Sequence, residues 1–115
     1  MIEVGEYVKT HKGDIHKVIG IREEVKEGKR IYSHKAYYLD SKKGSLTEAF
    51  IIKHSKNIID LIEESDYVNG HLVLKVEEDG FLLVDDKGYT HLAPINIKSI
   101  VTKEQFAQME YKVKE

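Results

Sequence analysis

The densest concentration of chemically useful side chains lies between residues 22 and 38. Arg22, Lys26, Lys29, Arg30, His34 and Lys35 stand among Tyr32, Tyr37 and Tyr38. Aromatic faces beside cationic groups are what a nucleotide or a single nucleic-acid strand requires, because rings stack while cations pair with phosphate. Alternation along an extended segment puts Tyr32, His34 and Tyr38 on one face and Ile31, Lys35, Tyr37 and Leu39 on the other. The expected ligand-binding set is therefore Arg22, Arg30, Tyr32, His34, Lys35, Tyr37 and Tyr38. Tyrosine is also a common strand residue, so packing of one face on a core competes with this reading.

Other chemistries find little support. The chain has no cysteine, which removes disulfides, thiol nucleophiles and thiolate metal sites. Its histidines, His11, His16, His34, His54, His71 and His91, show no metal-ligand spacing, so neither a metal nor another cofactor is expected. The paired acids Glu23/Glu24, Glu63/Glu64, Glu77/Glu78 and Asp85/Asp86 are sequence neighbours. On strands such neighbours point to opposite faces and cannot act as an acid/base pair. No nucleophile elbow and no phosphate-binding glycine loop is present, so no enzymatic activity is expected.

The elements that carry these residues read as short strands and turns. Gly5-Glu6-Tyr7-Val8 returns as Ser65-Asp66-Tyr67-Val68, and the alternating Ile15–Ile21 returns as Leu72–Val76. Leu39–Gly44 matches Leu83–Gly88, and Lys56–Asp60 matches Lys98–Thr102. Four matches in one order suggest a duplicated unit. Tyr7 to Lys43 spans 36 positions and Tyr67 to Lys87 spans 20, which leaves about 16 extra residues in the first copy. They fall at 22–36 as a hairpin turning at Lys26–Lys29, with Gly28 able to take positive φ. The second copy makes the same connection through Glu77-Glu78-Asp79-Gly80. One helix is expected near 103–109. Thr102 and Gln105 form a capping box, and Phe106 and Met109 share a face able to plug a barrel end. Pro94 belongs at a turn or edge, and Tyr111–Glu115 should fray.

The fold class expected is all-β with one short C-terminal helix, as two tandem SH3-like small barrels. Residues 1–62 form the first unit and 63–115 the second. The groove between the units is a second candidate site, with Phe50, Phe81 and Tyr89 as its lining.

The Gly-(Glu/Asp)-Tyr-Val entry strand resembles that of SH3-like and KOW-type barrels. Through His54–Ile62, Asp66–Gly70 and Ile100–Phe106 the chain also resembles a group of small proteins carried in prophages of clostridia and related bacteria. That likeness implies a phage context and carries over no functional residue; the host bacterial cytoplasm is the expected location because Met1–Gly5 lacks the basic start and apolar run of a signal peptide.

Charge narrows the partners. Residues 1–60 hold 12 Lys and Arg against 9 Asp and Glu, and residues 61–115 hold 6 against 11, so +3 and −5 give the net −2. A basic half joined to an acidic half suggests docking between units or between chains, and a homo-oligomer is expected. This is not the profile of a general nucleic-acid binder. No apolar run reaches the ~20 residues that span a bilayer, so no membrane is expected. The expected function is non-enzymatic binding of a small anionic ligand, such as a nucleotide immune signal, or masking of a host protein. A nucleic-acid module or a minor phage structural protein is the alternative.

Overall fold

The computed structural model describes residues 1–26 and 32–109, and for 24–26, 32 and 33 the backbone alone. The strands form two antiparallel sheets of five. In the first, β1 (Tyr7–Thr10), β2 (Ile15–Lys26), β3 (Tyr32–Leu39), β4 (Ser45–Thr47) and β5 (Ile51–Ser55) are ordered β4-β3-β2-β1-β5. In the second, β6 (Tyr67–Val68), β7 (His71–Val76), β8 (Leu82–Asp85), β9 (Tyr89–Leu92) and β10 (Ile100–Val101) are ordered β10-β6-β7-β8-β9. Counted within each sheet the order is the same. A 3-10 turn joins the fourth strand to the fifth in both, at Glu48–Phe50 and at Pro94–Asn96. Pro94 opens the second of these turns, where a missing N–H costs nothing. The mostly-β expectation with one short helix is met. Closed barrels are not, because both sheets stay open at their fourth and fifth strands.

The repeated Gly-Glu-Tyr-Val motif has a physical basis. Gly5 and Ser65 sit at φ 95° and 76°, where the chain turns into β1 and β6. Glycine adopts that region without steric cost; serine does so with some. The next residue's backbone binds a valine across the sheet: Val18 N–H donates to Glu6 O at 2.8 Å, and Val73 N–H to Asp66 O at 2.8 Å. The acid side chain then closes the turn from inside. Glu6 accepts the Glu3 N–H at 2.5 Å, and Asp66 accepts the Glu63 N–H at 2.8 Å. Both acids are buried, and a buried carboxylate is tolerable only when so satisfied. The closing valines, Val8 and Val68, are fully buried.

Two of the four sequence matches shift in register. Val18 pairs with Leu39 and Val73 with Val84, so Leu39 corresponds to Val84 rather than Leu83. Opposite Val8 stands His54, and opposite Val68 stands Ile100. Hence Ile58–Leu61 forms a 3-10 turn after the fifth strand, whereas Ile100–Val101 is itself the fifth strand. Turn lengths differ between the units, and apolar pairs slide past each other without a change of composition.

Each sheet has its own core. Ile2, Val8, Val18, Tyr37 and Leu39 form the first; Ile62, Val68, Val73, Leu82 and Val84 form the second. Ile59 already packs on the second core, so the handover lies in the Ile58–Leu61 turn. The expected hairpin is the long pair β2/β3, matched to Lys26↔Tyr32, whereas β7/β8 ends at Val76↔Leu82. Gly28 and the rest of its turn lie outside the described residues, as does Tyr111–Glu115.

The helix α1 (Lys103–Met109) begins as its capping box requires. Gln105 N–H donates to Thr102 Oγ1 at 3.2 Å, and Thr102 N–H to Gln105 Oε1 at 3.0 Å. It plugs neither sheet, for it has no buried residue. Phe106, 52% exposed, stacks on Tyr67 at 4.9 Å, and Met109 is exposed. Its other contacts tie the two units together. Thr102 Oγ1 donates to Gly13 O at 2.7 Å, and Gln108 Nε2 to Lys12 O at 2.7 Å. Gly13, at φ 90°, lies so close that an added Cβ would stand 2.5 Å from Glu104 Cβ. Beside it the buried Lys9 ammonium lies 3.4 Å from Glu63 and 3.2 Å from Glu104.

Candidate ligand groove between the two sheets

The hairpin residues do not form one basic-aromatic surface. Arg30 lies outside the described residues, and of Tyr32 only the backbone, paired with Lys26, is described. Tyr37 is 1% exposed in the first core, so its ring is not available to stack on a ligand. Burial, reinforced by the nearby Glu48 carboxylate, pushes its hydroxyl above the ordinary phenol range. Tyr38 is half-buried on the other face, opposite Gly20 and Ser45. Arg22 and Lys35 are exposed, but the register sets Glu23 opposite Lys35 and Glu24 opposite His34. An acid thus stands across from Lys35, which weakens the surface as an anion site. His34, Lys35 and Tyr37 do border one shallow depression of about 590 Å³, with Glu23 and Glu48 on its rim.

A groove also lies between the sheets, though not lined by the expected residues. Phe50, Phe81 and Tyr89 are 46%, 38% and 82% exposed and lie away from it; Phe50 instead leans on His11 at 4.9 Å. The groove has two lobes that share Tyr7 and Ile58. One, of about 300 Å³, is bordered by Ile15, His16, Lys17 and Asp40 of the first unit and Ile97–Ile100 of the second. The other, of about 570 Å³, runs between Lys56–Asp60 and the segments Glu78–Gly80 and Pro94–Ile95.

Local chemistry fixes the groove's walls. Asn69, at φ 54°, accepts the N–H groups of Lys98 and Ser99 at 2.7 and 3.1 Å and donates to Asn96 O at 2.8 Å. That holds the segment on which Lys98 stands. On the opposite wall, His16 Nδ1 lies 2.9 Å from Asp40 O and Nε2 2.5 Å from Asp14. Both ring nitrogens are thus engaged within the chain, and His16 is a wall rather than a ligand hand. Burial pushes the Asp14 carboxyl up, but the bonds from Thr10 and His16 outweigh it and hold it below the ordinary carboxylate range. Lys17 Nζ sits 5.7 Å from the Tyr7 ring centroid, within cation–π reach. The corresponding tyrosine, Tyr67, is covered by Phe106, whereas Tyr7 faces the groove. One lobe therefore offers an aromatic ring with Lys17 and Lys98 against the single carboxylate of Asp40, and the other carries Asp60, Glu78 and Asp79 against the single cation of Lys56.

Two further histidines have local partners: His54 lies 3.0 Å from buried Glu6, and His71 3.7 Å from Asp86. Among the described residues, no three His, Asp or Glu side chains converge to hold a metal. No described helix is long and apolar enough to cross a membrane. Sequence reasoning named the groove but missed Tyr7, Lys17 and Lys98. The available signal was Tyr7 itself, the half-buried neighbour of the buried valine in the repeated motif. No protein-family model, curated protein or solved structure matches this chain.

Proposed function

We propose that this protein is a non-enzymatic binding protein made of two SH3-like units descended from one duplicated unit, and that it holds a small anionic ligand in the groove between them. The duplication is supported by the shared strand order and by a register slip at the same place, after Val18 and after Val73. The binding site rests on one observation: Tyr7, Lys17 and Lys98 meet in a cleft at the unit boundary. Clefts between units, with an apolar lining and a few polar groups, are preferred ligand sites. The prophage resemblance makes a bacterial host the expected setting.

The test is amide NMR of the labelled protein with phenyl phosphate and benzoate as probes. The expected result is shifts clustered at Tyr7, Ile58 and Lys98 that disappear in Lys17→Ala/Lys98→Ala. Shifts confined to Arg22, His34 and Lys35 would move the site to the hairpin. No shifts anywhere in the groove would end the proposal.

A further inference from the structure

We infer that the groove selects a nucleoside monophosphate whose base carries an exocyclic amine, with the phosphate at Lys17 and Lys98 and the amine toward Asp60 and Asp79. This rests on the groove being the ligand site. The two lobes share Tyr7 and Ile58, so one molecule can lie across both. Their combined space falls within the ~300–1,000 Å³ common for small-molecule sites. Net charge falls along that path: Lys17 and Lys98 outweigh Asp40 at one end, and Asp60, Glu78 and Asp79 outweigh Lys56 at the other.

Each part of the ligand follows from a group on the wall. Two lysines act as point charges for a single phosphate. The waist, an aromatic ring beside Ile58, suits a planar base. A carboxylate only accepts hydrogen bonds, so the far end favours a base edge that donates them. Asp79 is fixed for this task, since its Oδ1 accepts the Phe81 N–H at 3.1 Å and anchors the turn.

The experiment is a calorimetric and amide-NMR titration with AMP, IMP, adenosine and inorganic phosphate. IMP has a carbonyl oxygen in place of the exocyclic amine and carries a proton on N1, so the pair tests the exocyclic donor specifically. AMP is expected to perturb Tyr7, Ile58 and Lys98 and to bind about tenfold or more tighter than each of the other three. Lys98→Ala should bring AMP close to adenosine. Asp79→Asn, which keeps the turn's acceptor oxygen, should erase the preference for AMP over IMP. Equal affinity for AMP and IMP, or AMP shifts outside the groove, would overturn the inference. If AMP is silent while phenyl phosphate still perturbs the groove, the nucleotide assignment fails and the binding groove stands. If neither perturbs it, both fail.

Discussion

Replacing Lys9 by methionine tests how the two units are joined. The Lys9 side chain is only 4% exposed, yet its ammonium lies 3.4 Å from Glu63 and 3.2 Å from Glu104, themselves 42% and 40% exposed. At such distances each pair has a gross attraction of about 5 kcal/mol in an effective dielectric near 20, and desolvation of the ammonium cancels most of it. Methionine keeps the packing of the stem, so the loss is electrostatic. Glu63 retains Lys103 at 3.2 Å, and Glu104 loses its cation. Stranding a fully buried partner costs ~3–5 kcal/mol; both carboxylate side chains are partly exposed and recover some water, although Glu104 Oε2 itself is buried, so about 2 kcal/mol is expected here. For a chain of this size that lowers the melting temperature by roughly 6–8 °C. Adding Glu104→Gln should restore about half of it, because the stranded charge is removed. The effect must also depend on pH. Lys103, with Lys9 behind it, holds the Glu63 carboxyl below its usual 4.5. Burial pushes Glu104 up, but its own backbone N–H and Lys9 outweigh this and leave it below 4.5 as well. Groups depressed on folding stabilise the protein above the unfolded value, and that contribution is lost as pH falls through the folded value. The gap between wild type and Lys9→Met should therefore be full at pH 7 and shrink as pH falls below 4.5. Calorimetric melts that differ by less than about 2 °C at neutral pH, or a gap that persists in acid, would refute the reasoning.

Three further outcomes follow from burial and geometry. Gly13→Ala should destabilise by about 2 kcal/mol in urea unfolding, since positive φ and the Glu104 Cβ both oppose a methyl group. Tyr37→Ala should cost about 3–4 kcal/mol as a core truncation, while exposed Arg22→Ala stays within about 0.5 kcal/mol; equal effects would contradict the assignment of Tyr37 to the core. The His54 ring and the Glu3 N–H hold the Glu6 carboxyl low despite burial, so its share of stability is present above pH 4.5 and lost below it; Glu6→Gln should flatten that acid limb in a pH series of melts.

Much of the fold was legible because it is local. The turn glycine, the acid that closes the turn and the buried valine sit within four adjacent positions, so Gly5–Val8 and Ser65–Val68 announce themselves. The capping box of Thr102 and Gln105 is likewise a contact over three residues. Open sheets were not legible, since closure depends on whether β4 and β5 meet, and no residue pattern records a contact that is not made. The last of the four sequence matches misled for a different reason. Ile58-Ile59 and Ile100-Val101 are alike in composition, but one pair lies in a 3-10 turn and the other in a strand. Two apolar residues beside each other fit either state, and only pairing with β1 or β6 decides.

The site shows the same division between local and long-range information. A strand rich in Tyr, Lys and His draws attention to 32–38, because aromatic-basic clustering is visible without a fold. Pairing then spends that strand otherwise. Tyr37 enters the core beside Leu39, and the acids of β2 fall opposite Lys35 and His34. The groove is the converse case. Tyr7 and Lys98 are about as far apart as the two units allow in sequence, and neither is conspicuous alone. They meet because α1 folds back on the β1–β2 turn, through Thr102, Gln108 and the Lys9 ion pairs. A ligand that bridges Lys17 and Lys98 would then bind across the junction that Lys9 stabilises. Binding and the joining of the units should therefore be linked, and a ligand for the folded groove should raise the melting temperature of Lys9→Met as well as that of the wild type. The measurement is a melt of both proteins with saturating AMP. Stabilisation of the wild type with none in Lys9→Met would mean that the ion pairs set the groove's geometry rather than only its stability.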